Sequence, residues 1–316
     1  MCGIIAAASE RNVGKLLVQG LHKMEYRGYD SAGIALHQND KIAHLRTLGK
    51  VKLLEEKMIS EKPKSKLGIA HTRWATHGEP SEENAHPHKS NDRVYIVHNG
   101  IIENYLDLKD FLKQEGYSFT SQTDSELIAH MLEYFLSKGN TMLDAMYLTK
   151  EKLDGAYAIA AIDKEDDTNI IIARSKSPLL IGVGIDEFLA ASDPLAIGQL
   201  TNEFIFLEDG DVAEISSQSY TIYDESKNKV DREITNIDIS SQATSKGEYK
   251  HFMEKEIYEQ PEAILNTIDG RVGGDDVLDN IFGLGSSDMF EKVKRVQIVA
   301  CGTSLHAGRV AANWFS

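Results

Sequence analysis

The chain has 316 residues, about two average domains of roughly 150 residues each, and its 41% hydrophobic and 26% charged residues exclude collagen-like, low-complexity and broadly disordered proteins. Its formal net charge of −15 disfavours nucleic acid and anionic membrane as partners, because both require a basic surface. Two cysteines cannot form a disulfide framework, and no basic n-region or membrane-spanning apolar run is present, so we expect a cytoplasmic protein without a membrane anchor.

The first half of the chain alternates strand and helix patterns. A short apolar run at residues 2–8 predicts a strand, and the apolar residues from Val13 to Met24 recur at helical spacing behind it. Further strand-like runs lie at residues 33–37, 67–71 and 93–98. Helical patterns cover residues 104–114, 124–136 and 141–153. A polar loop at residues 72–92 joins the strand-like runs at 67–71 and 93–98.

From Gly155 the pattern changes to short β-rich runs typical of meandering antiparallel strands. Strands at both ends with helices between them predict an α+β layered domain, which we place at residues 1–240. Residues 241–290 are predicted to be a linker with connecting helices that Pro261 interrupts or restarts. Residues 291–316 hold one strand, at 295–300, and one helix. Because a lone βα unit cannot bury both faces, we expect the start of a truncated α/β domain there.

Cys2 is the first candidate catalytic residue. If Met1 is removed, its thiol lies beside an α-amine with an ordinary pKa of about 7.7–8.0. That amine could act as the base for the thiol, since both groups share one Cα. The alternative is that Cys2 is simply a small buried hydrophobic residue.

The segment HTRWATHGEPSEENAHPH, residues 71–88, follows a predicted buried strand and carries guanidinium, hydroxyl, indole and imidazole groups. Loops held by a rigid scaffold often carry sites, although a solvated loop is the alternative. Its histidines show no H-x-x-x-H or paired-cysteine spacing, which disfavours a metal site. A substrate carboxylate held by two parallel hydrogen bonds from Arg73 is favoured instead.

Three further positions allow two interpretations each. Asn99-Gly100 is typical of a two-residue hairpin turn, or it supplies two N–H donors to an oxyanion, because a helical pattern follows it. Asp124 is either the N-cap of the next helix or the partner of a substrate ammonium group. The loop at residues 301–304, between a strand and a helix, could present backbone N–H groups to a phosphate, but alone it is a weak signal.

Several motifs together resemble the glutamine–fructose-6-phosphate aminotransferase (glucosamine-6-phosphate synthase) family. They are CGI at 2–4, YRGYDSAG at 26–33, HTRWATHGEP at 71–80, HNGI at 98–101 and TDSE at 123–126. KEIYEQP at 255–261 and ACGTS at 300–304 resemble that family's linker helix and the first strand-loop of its sugar isomerase domain. The resemblance implies an N-terminal-nucleophile hydrolase fold, a four-layer αββα sandwich, which agrees with the α+β pattern.

The resemblance also implies roles for individual residues in glutamine hydrolysis. Cys2 would attack the side-chain amide and form a γ-glutamyl thioester, with Asn99 and the Gly100 N–H as the oxyanion hole. The glutamine would be held at its α-carboxylate and α-ammonium by Arg73, Thr76, His77 and Asp124.

Other implied roles lie around this site and in the last residues of the chain. Trp74 would gate an ammonia channel, and Arg27 would border the nucleophile. The sugar-phosphate loop would comprise Cys301, Gly302, Thr303 and Ser304.

In a whole enzyme of this family, the ammonia would convert fructose 6-phosphate to glucosamine 6-phosphate for amino-sugar biosynthesis, without a metal or organic cofactor. That enzyme would be a homodimer built through the sugar isomerase domain. We expect the present chain to act as a glutaminase only, because the residues for isomerisation would lie beyond Ser316. The alternatives are a related N-terminal-cysteine amidotransferase with another acceptor, and a non-catalytic glutamine-binding module that retains Met1.

Overall fold

A computed structural model describes residues 2–27, 29–74, 78–239, 249–268, 272–273, 276–277, 290 and 292–315. Contacts between residues divide the chain into two compact units, Met1–Ser245 and Lys246–Ser316. Among the described residues, no helix combines the length and the apolar character needed to cross a bilayer.

The first unit consists of strands and helices that follow the predicted order closely. Its described strands are β1 (Gly3–Ser9), β2 (Ser31–Gln38), β3 (Lys41–Leu48), β4 (Leu67–Arg73), β5 (His88–Ser90), β6 (Val94–Ile102), β7 (Gly155–Asp163), β8 (Ile170–Ser175), β9 (Leu180–Val183), β10 (Glu187–Ala191), β11 (Glu203–Phe206), β12 (Val212–Ile215), β13 (Tyr220–Tyr223), β14 (Lys229–Val230) and β15 (Ile234–Asn236). Its described helices are α1 (Gly14–Met24), α2 (Val51–Glu61), α3 (Tyr105–Gln114), α4 (Glu126–Ser137) and α5 (Met142–Lys150).

These strands form two sheets. The first sheet has the order β15-β11-β9-β10-β1-β4-β2-β3, and the second has the order β14-β13-β12-β8-β7-β6-β5. Neighbouring strands within each sheet run antiparallel. β1 therefore lies inside the first sheet, hydrogen-bonded to β10 on one side and to β4 on the other.

The two sheets pack face to face with helices on their outer sides. One apolar cluster joins alternate residues of both sheets, such as Ile4, Ile69 and Val97, as the two-residue period of a strand requires. A second cluster packs α1 and α2 on the outer face of the first sheet. A third packs α4 and α5 on the outer face of the second. The predicted α+β four-layer sandwich is confirmed.

The second unit contains α6 (Phe252–Ile268), the two-residue strands β16 (Val272–Gly273) and β17 (Asp276–Val277), and α7 (Gly302–Trp314). The prediction that Pro261 interrupts the helix is wrong, because α6 runs through it. Proline removes one backbone N–H, and the carbonyl of the preceding turn loses its partner. Ile257, four residues earlier, is 56% exposed, so water can satisfy that carbonyl.

The last predicted strand is not found as a strand. Residues 295–300 form no ladder within the part of the chain that the structure describes, although the helix after them is present. The segment still lies against α7, since a Cβ on Gly308 would come within 2.7 Å of Ile298 Cγ2. A strand needs a neighbour to satisfy its backbone groups, and these residues have none among those described.

Candidate active site

The candidate residues from three strands face the layer between the two sheets. In β4, His71 and Arg73 follow Ile69 at two-residue intervals, so they share its inner face. In β6, Asn99 follows Val97 on the inner face of the opposite sheet. Cys2 precedes Ile4 by the same interval and lies directly before β1. The alternation of the strands therefore brings a thiol, an imidazole, a guanidinium and an amide to one end of the inter-sheet layer.

The Cys2 thiol lies against the backbone of Trp74, and the Cys2 carbonyl lies against Asn99. The backbone N–H of Trp74 donates to Cys2 Sγ at 3.2 Å, and Asn99 Nδ2 donates to the Cys2 carbonyl oxygen at 3.3 Å. Burial raises the pKa of the thiol, while the Trp74 hydrogen bond, the chain terminus and Arg73 act in the opposite direction. A thiol with a raised pKa is largely protonated near neutral pH, so attack on a substrate requires a base at the moment of reaction.

This raised pKa predicts how the thiol of the Met1-containing chain reacts. We expect the alkylation rate of Cys2 by iodoacetamide to keep rising above pH 9, because a higher pKa moves the appearance of the thiolate to higher pH. Peptide mass spectrometry measures the rate, with the exposed Cys301 as a reagent control in the same digest. A Cys2 rate that reaches its plateau at or below pH 8 would contradict the raised pKa.

Arg73 is a buried cation that a carboxylate and backbone carbonyls surround. Its side chain is only 5% exposed and lies 3.5 Å from the Asp30 carboxylate. Its guanidinium also donates to the carbonyl oxygens of Gly78, at 3.3 Å, and Glu79, at 3.5 Å. These contacts hold the plane of the guanidinium, and a planar group held in this way suits two-point recognition of a carboxylate.

Asn99 and Gly100 lie within β6, which continues to Ile102, so the hairpin interpretation is wrong. Local sequence favoured a turn, but pairing with β7 keeps the backbone extended. Gly100 has φ +138°, and a Cβ there would lie 1.9 Å from the Ala156 carbonyl oxygen. Only glycine fits this position, and its exposed backbone can approach a ligand closely.

Asp124 does not cap α4, so the N-cap interpretation is also wrong. The helix begins at Glu126 with Ser125 as its N-cap residue. Asp124 is instead 5% exposed, and its Oδ2 accepts the backbone N–H of Ile102 at 2.8 Å. This hydrogen bond holds a buried carboxylate against the end of β6, two residues beyond Gly100.

The side chains of Asn84 and Gln122 join the loop after β4 to the residues before α4. Asn84 Nδ2 donates to Gln122 Oε1 at 3.2 Å, and the Gln122 N–H donates to Asn84 Oδ1 at 2.8 Å. Asn84 Nδ2 also donates to the Glu79 carbonyl at 2.9 Å. This Asn84–Gln122 clasp therefore links a carbonyl partner of Arg73 to the residues next to Asp124.

Several histidines form a buried cluster behind the site. The ring centroids of His71 and His86 lie 4.1 Å apart, and those of His86 and His88 lie 4.5 Å apart. Burial lowers the pKa of His71 to about 3, and it lowers the pKa of His86 and His88 as well, so the rings are neutral near pH 7. Over the described ranges, no three His, Cys, Asp or Glu side chains come together as a metal site would require.

The remaining predicted residues lie in different places. Trp74 follows β4 and is 51% exposed. Arg27 ends a short 3₁₀ turn, Glu25–Arg27. Thr76 and His77 lie outside the described residues. In the second unit, Cys301 is the N-cap residue of α7 without a capping side-chain bond, and Gly302, Thr303 and Ser304 form the exposed first turn of that helix.

Sequence reasoning missed three residues of this site as functional candidates. Asp30 lies in the YRGYDSAG motif but was not connected to Arg73, because their contact joins the residue before β2 to the end of β4. Asn84 gave no local signal. His71 did give a local signal, because its two-residue spacing from Ile69 and Arg73 predicts that the three residues share one face of a strand.

Comparisons with known proteins identify relatives of this chain. A family model described as a glutamine amidotransferase domain matches residues 71–199. Two curated relatives are the glutamine–fructose-6-phosphate aminotransferases (isomerizing) of Vibrio parahaemolyticus, 49% identical over 316 residues, and Haemophilus influenzae, 50% identical over 317 residues. Each alignment covers 100% of this chain and 52% of the relative, so the chain spans about half the length of the curated relatives it matches.

A solved structure supports the same fold. The glutamine phosphoribosylpyrophosphate amidotransferase of B. subtilis superposes with a TM-score of 0.63 at 26% identity, covering 72% of this chain and 50% of that one. The predicted N-terminal-nucleophile hydrolase fold is confirmed. The predicted resemblance to the glutamine–fructose-6-phosphate aminotransferase family is confirmed over the full length of this chain, and residues 71–199 match a glutamine amidotransferase domain.

Proposed function

We propose that this chain hydrolyses L-glutamine to L-glutamate and ammonia through a thioester on Cys2. The observation that carries the proposal is the convergence of Cys2, Asn99 and Arg73, from β1, β6 and β4, at one end of the inter-sheet layer. A nucleophile, an amide donor and a buried cation are the groups that acyl transfer from an amino-acid amide needs.

The chemistry begins after Met1 is removed and the α-amine belongs to Cys2. The amine accepts the thiol proton as Sγ bonds to the side-chain amide carbon of glutamine. Asn99 Nδ2 and the Gly100 N–H then donate to the tetrahedral oxyanion. The C–N bond breaks, the amine returns its proton to the leaving nitrogen, and ammonia departs. Water attacks the thioester carbon, the C–S bond breaks, and glutamate leaves a regenerated thiol.

Charge complementarity selects the substrate. Arg73, with Thr76 and His77, holds the α-carboxylate, and Asp124 pairs with the α-ammonium. The Asn84–Gln122 clasp keeps the elements that carry these opposite charges together. Trp74 gates the exit of ammonia, and Arg27 borders the nucleophile.

In the whole protein, we propose that the ammonia converts fructose 6-phosphate to glucosamine 6-phosphate without a metal or organic cofactor. Residues 1–240 form the amidotransferase domain, residues 241–290 the linker and connecting helices, and residues 291–316 the start of the sugar isomerase domain. Cys301, Gly302, Thr303 and Ser304 belong to its sugar-phosphate loop, since a helix N-terminus attracts phosphate. The whole protein is a homodimer.

We place the protein in the cytoplasm, where a reducing environment preserves the free thiol on which this chemistry depends. The present chain supplies the glutaminase activity alone.

The test is a product assay on the purified chain after intact-mass analysis has shown that Met1 is absent. We expect equal amounts of glutamate and ammonia from L-glutamine, little turnover of D-glutamine, and no glucosamine 6-phosphate when fructose 6-phosphate is added. A chain that lacks Met1 but releases no glutamate would refute the proposal. Glutamine binding without turnover in a chain that retains Met1 would favour the non-catalytic module instead.

A further inference from the structure

We propose that His71 is a positioning residue that fixes the side-chain amide of Asn99 with its nitrogen toward the reacting centre. The inference rests on the proposed function, because it concerns how the oxyanion donor of that reaction is oriented. It gives a mechanistic role to a residue that otherwise belongs to a buried histidine cluster.

The hydrogen-bond pattern defines which way the amide points. The Cys2 carbonyl can only accept, so the Asn99 atom that faces it at 3.3 Å is the NH₂ nitrogen. The opposite end, Oδ1, then faces His71 Nε2 at 2.9 Å. Since an amide oxygen can only accept, His71 must donate, and its proton lies on Nε2.

The surroundings of His71 make this donor rigid. His71 is fully buried, and its backbone pairs with Ile4 of β1 on one side and Gly33 of β2 on the other. The His86 ring packs on it with a centroid separation of 4.1 Å. Because burial keeps the imidazole neutral, one nitrogen donates and the other cannot.

The orientation matters because the two ends of the amide act oppositely on an oxyanion. The NH₂ group has two hydrogens, so one can bond to the Cys2 carbonyl while the other serves the substrate. A flipped amide would present its oxygen to the developing negative charge and repel it. Two hydrogen bonds hold Asn99 in the orientation that stabilises the oxyanion, one from His71 and one to the Cys2 carbonyl. Without the His71 donor, only the second remains.

The experiment is a double-mutant cycle on glutamine hydrolysis with His71→Ala, Asn99→Ala and the double variant. We expect His71→Ala to lower kcat by about 10- to 100-fold with KM within about twofold, a smaller loss than the roughly 10²–10³-fold cost of removing an oxyanion donor outright. In the Asn99→Ala background, the same change should cost less than about threefold, because its partner is already gone. His71→Gln, which retains an N–H donor, should recover part of the rate.

Two controls separate positioning from packing. Rates are normalised to the number of sites labelled by a glutamine analogue bearing a diazoketone, which excludes misfolded molecules. His88→Ala removes another buried imidazole of the cluster, one whose Nε2 contacts Thr123 Oγ1 at 3.0 Å instead of Asn99. Any loss of kcat that His88→Ala causes should be the same in the parent and in the Asn99→Ala background.

The outcomes separate this inference from the proposed function. A parent chain that lacks Met1 and does not hydrolyse glutamine overturns both. Two outcomes in an active parent overturn the inference alone. In one, the loss of kcat in the double variant equals the product of the losses in His71→Ala and Asn99→Ala. In the other, His71→Ala leaves kcat unchanged. If His71→Ala does not fold, His71→Phe takes its place in the cycle, because it keeps a ring against His86 without a donor.

Discussion

Replacement of Cys2 by alanine is expected to lower kcat for glutamine hydrolysis by about 10⁴-fold or more, since removing a covalent nucleophile eliminates the thioester route. The fold should survive, because the change removes one sulfur at the edge of β1 and leaves the pairing of β1 with β4 and β10 intact. Glutamate release during a long incubation at high protein concentration measures the residual rate.

The same variant tests whether Cys2 is the labelled residue. Intact mass after exposure to the diazoketone analogue should show one adduct on the parent chain and none on Cys2→Ala. Cys301→Ala serves as the matched thiol variant and should keep its adduct. A Cys2→Ala chain that retains more than a tenth of the parent rate would show that another group carries the reaction.

Replacement of Arg73 by lysine is expected to raise KM for glutamine by about 10- to 100-fold, the loss typical of one or two charge-assisted hydrogen bonds. Lysine keeps the positive charge beside Asp30, so this partly buried carboxylate is not left without a cation. It does not reproduce the planar pair of donors. Steady-state kinetics over a wide glutamine range separates the change in KM from any change in kcat.

Arg93→Lys is the matched control for the Arg73 prediction. Arg93 also makes several contacts to one carboxylate, Asp163, at 3.0 to 3.2 Å, at the other end of β6. Arg93→Lys should lower thermal stability about as much as Arg73→Lys does, but it should leave KM within about twofold of the parent value. If Arg73→Lys changes KM as little as Arg93→Lys does, then Arg73 only forms a structural ion pair with Asp30 and does not bind the substrate carboxylate.

The layers of the fold could be predicted from sequence because the β-rich runs and the apolar helix faces are strong local signals. Two elements gave weak signals and were missed. β3 has only two buried residues, Leu45 and Thr47, so its pattern resembles a polar loop. α2 buries only Val51 and Leu54, too little for a clear helical period. Edge strands and lightly packed helices depend on their neighbours for definition.

The local structure at two candidate residues was predicted incorrectly. Motif spacing singled out Asn99 and Asp124, but a hairpin turn and a helix cap were the ordinary alternatives from neighbouring residues alone. Both alternatives fail because of contacts distant in sequence: β7 pairs with β6, and Asp124 accepts a hydrogen bond from Ile102. The link between His71 and Asn99 crosses from one sheet to the other, and local propensity carries no information about it.

The alternation that places His71 and Arg73 on the inner face also restricts how this stretch can change in length during evolution. A single inserted residue after Ile69 would shift the register of β4 and turn both side chains toward α1, with Ala70 and Thr72 in their places. We therefore expect the spacing between Ile69, His71 and Arg73 to be the same in active relatives. We expect length variation instead at the two-residue turn Asn39–Asp40 between β2 and β3, at the edge of the sheet.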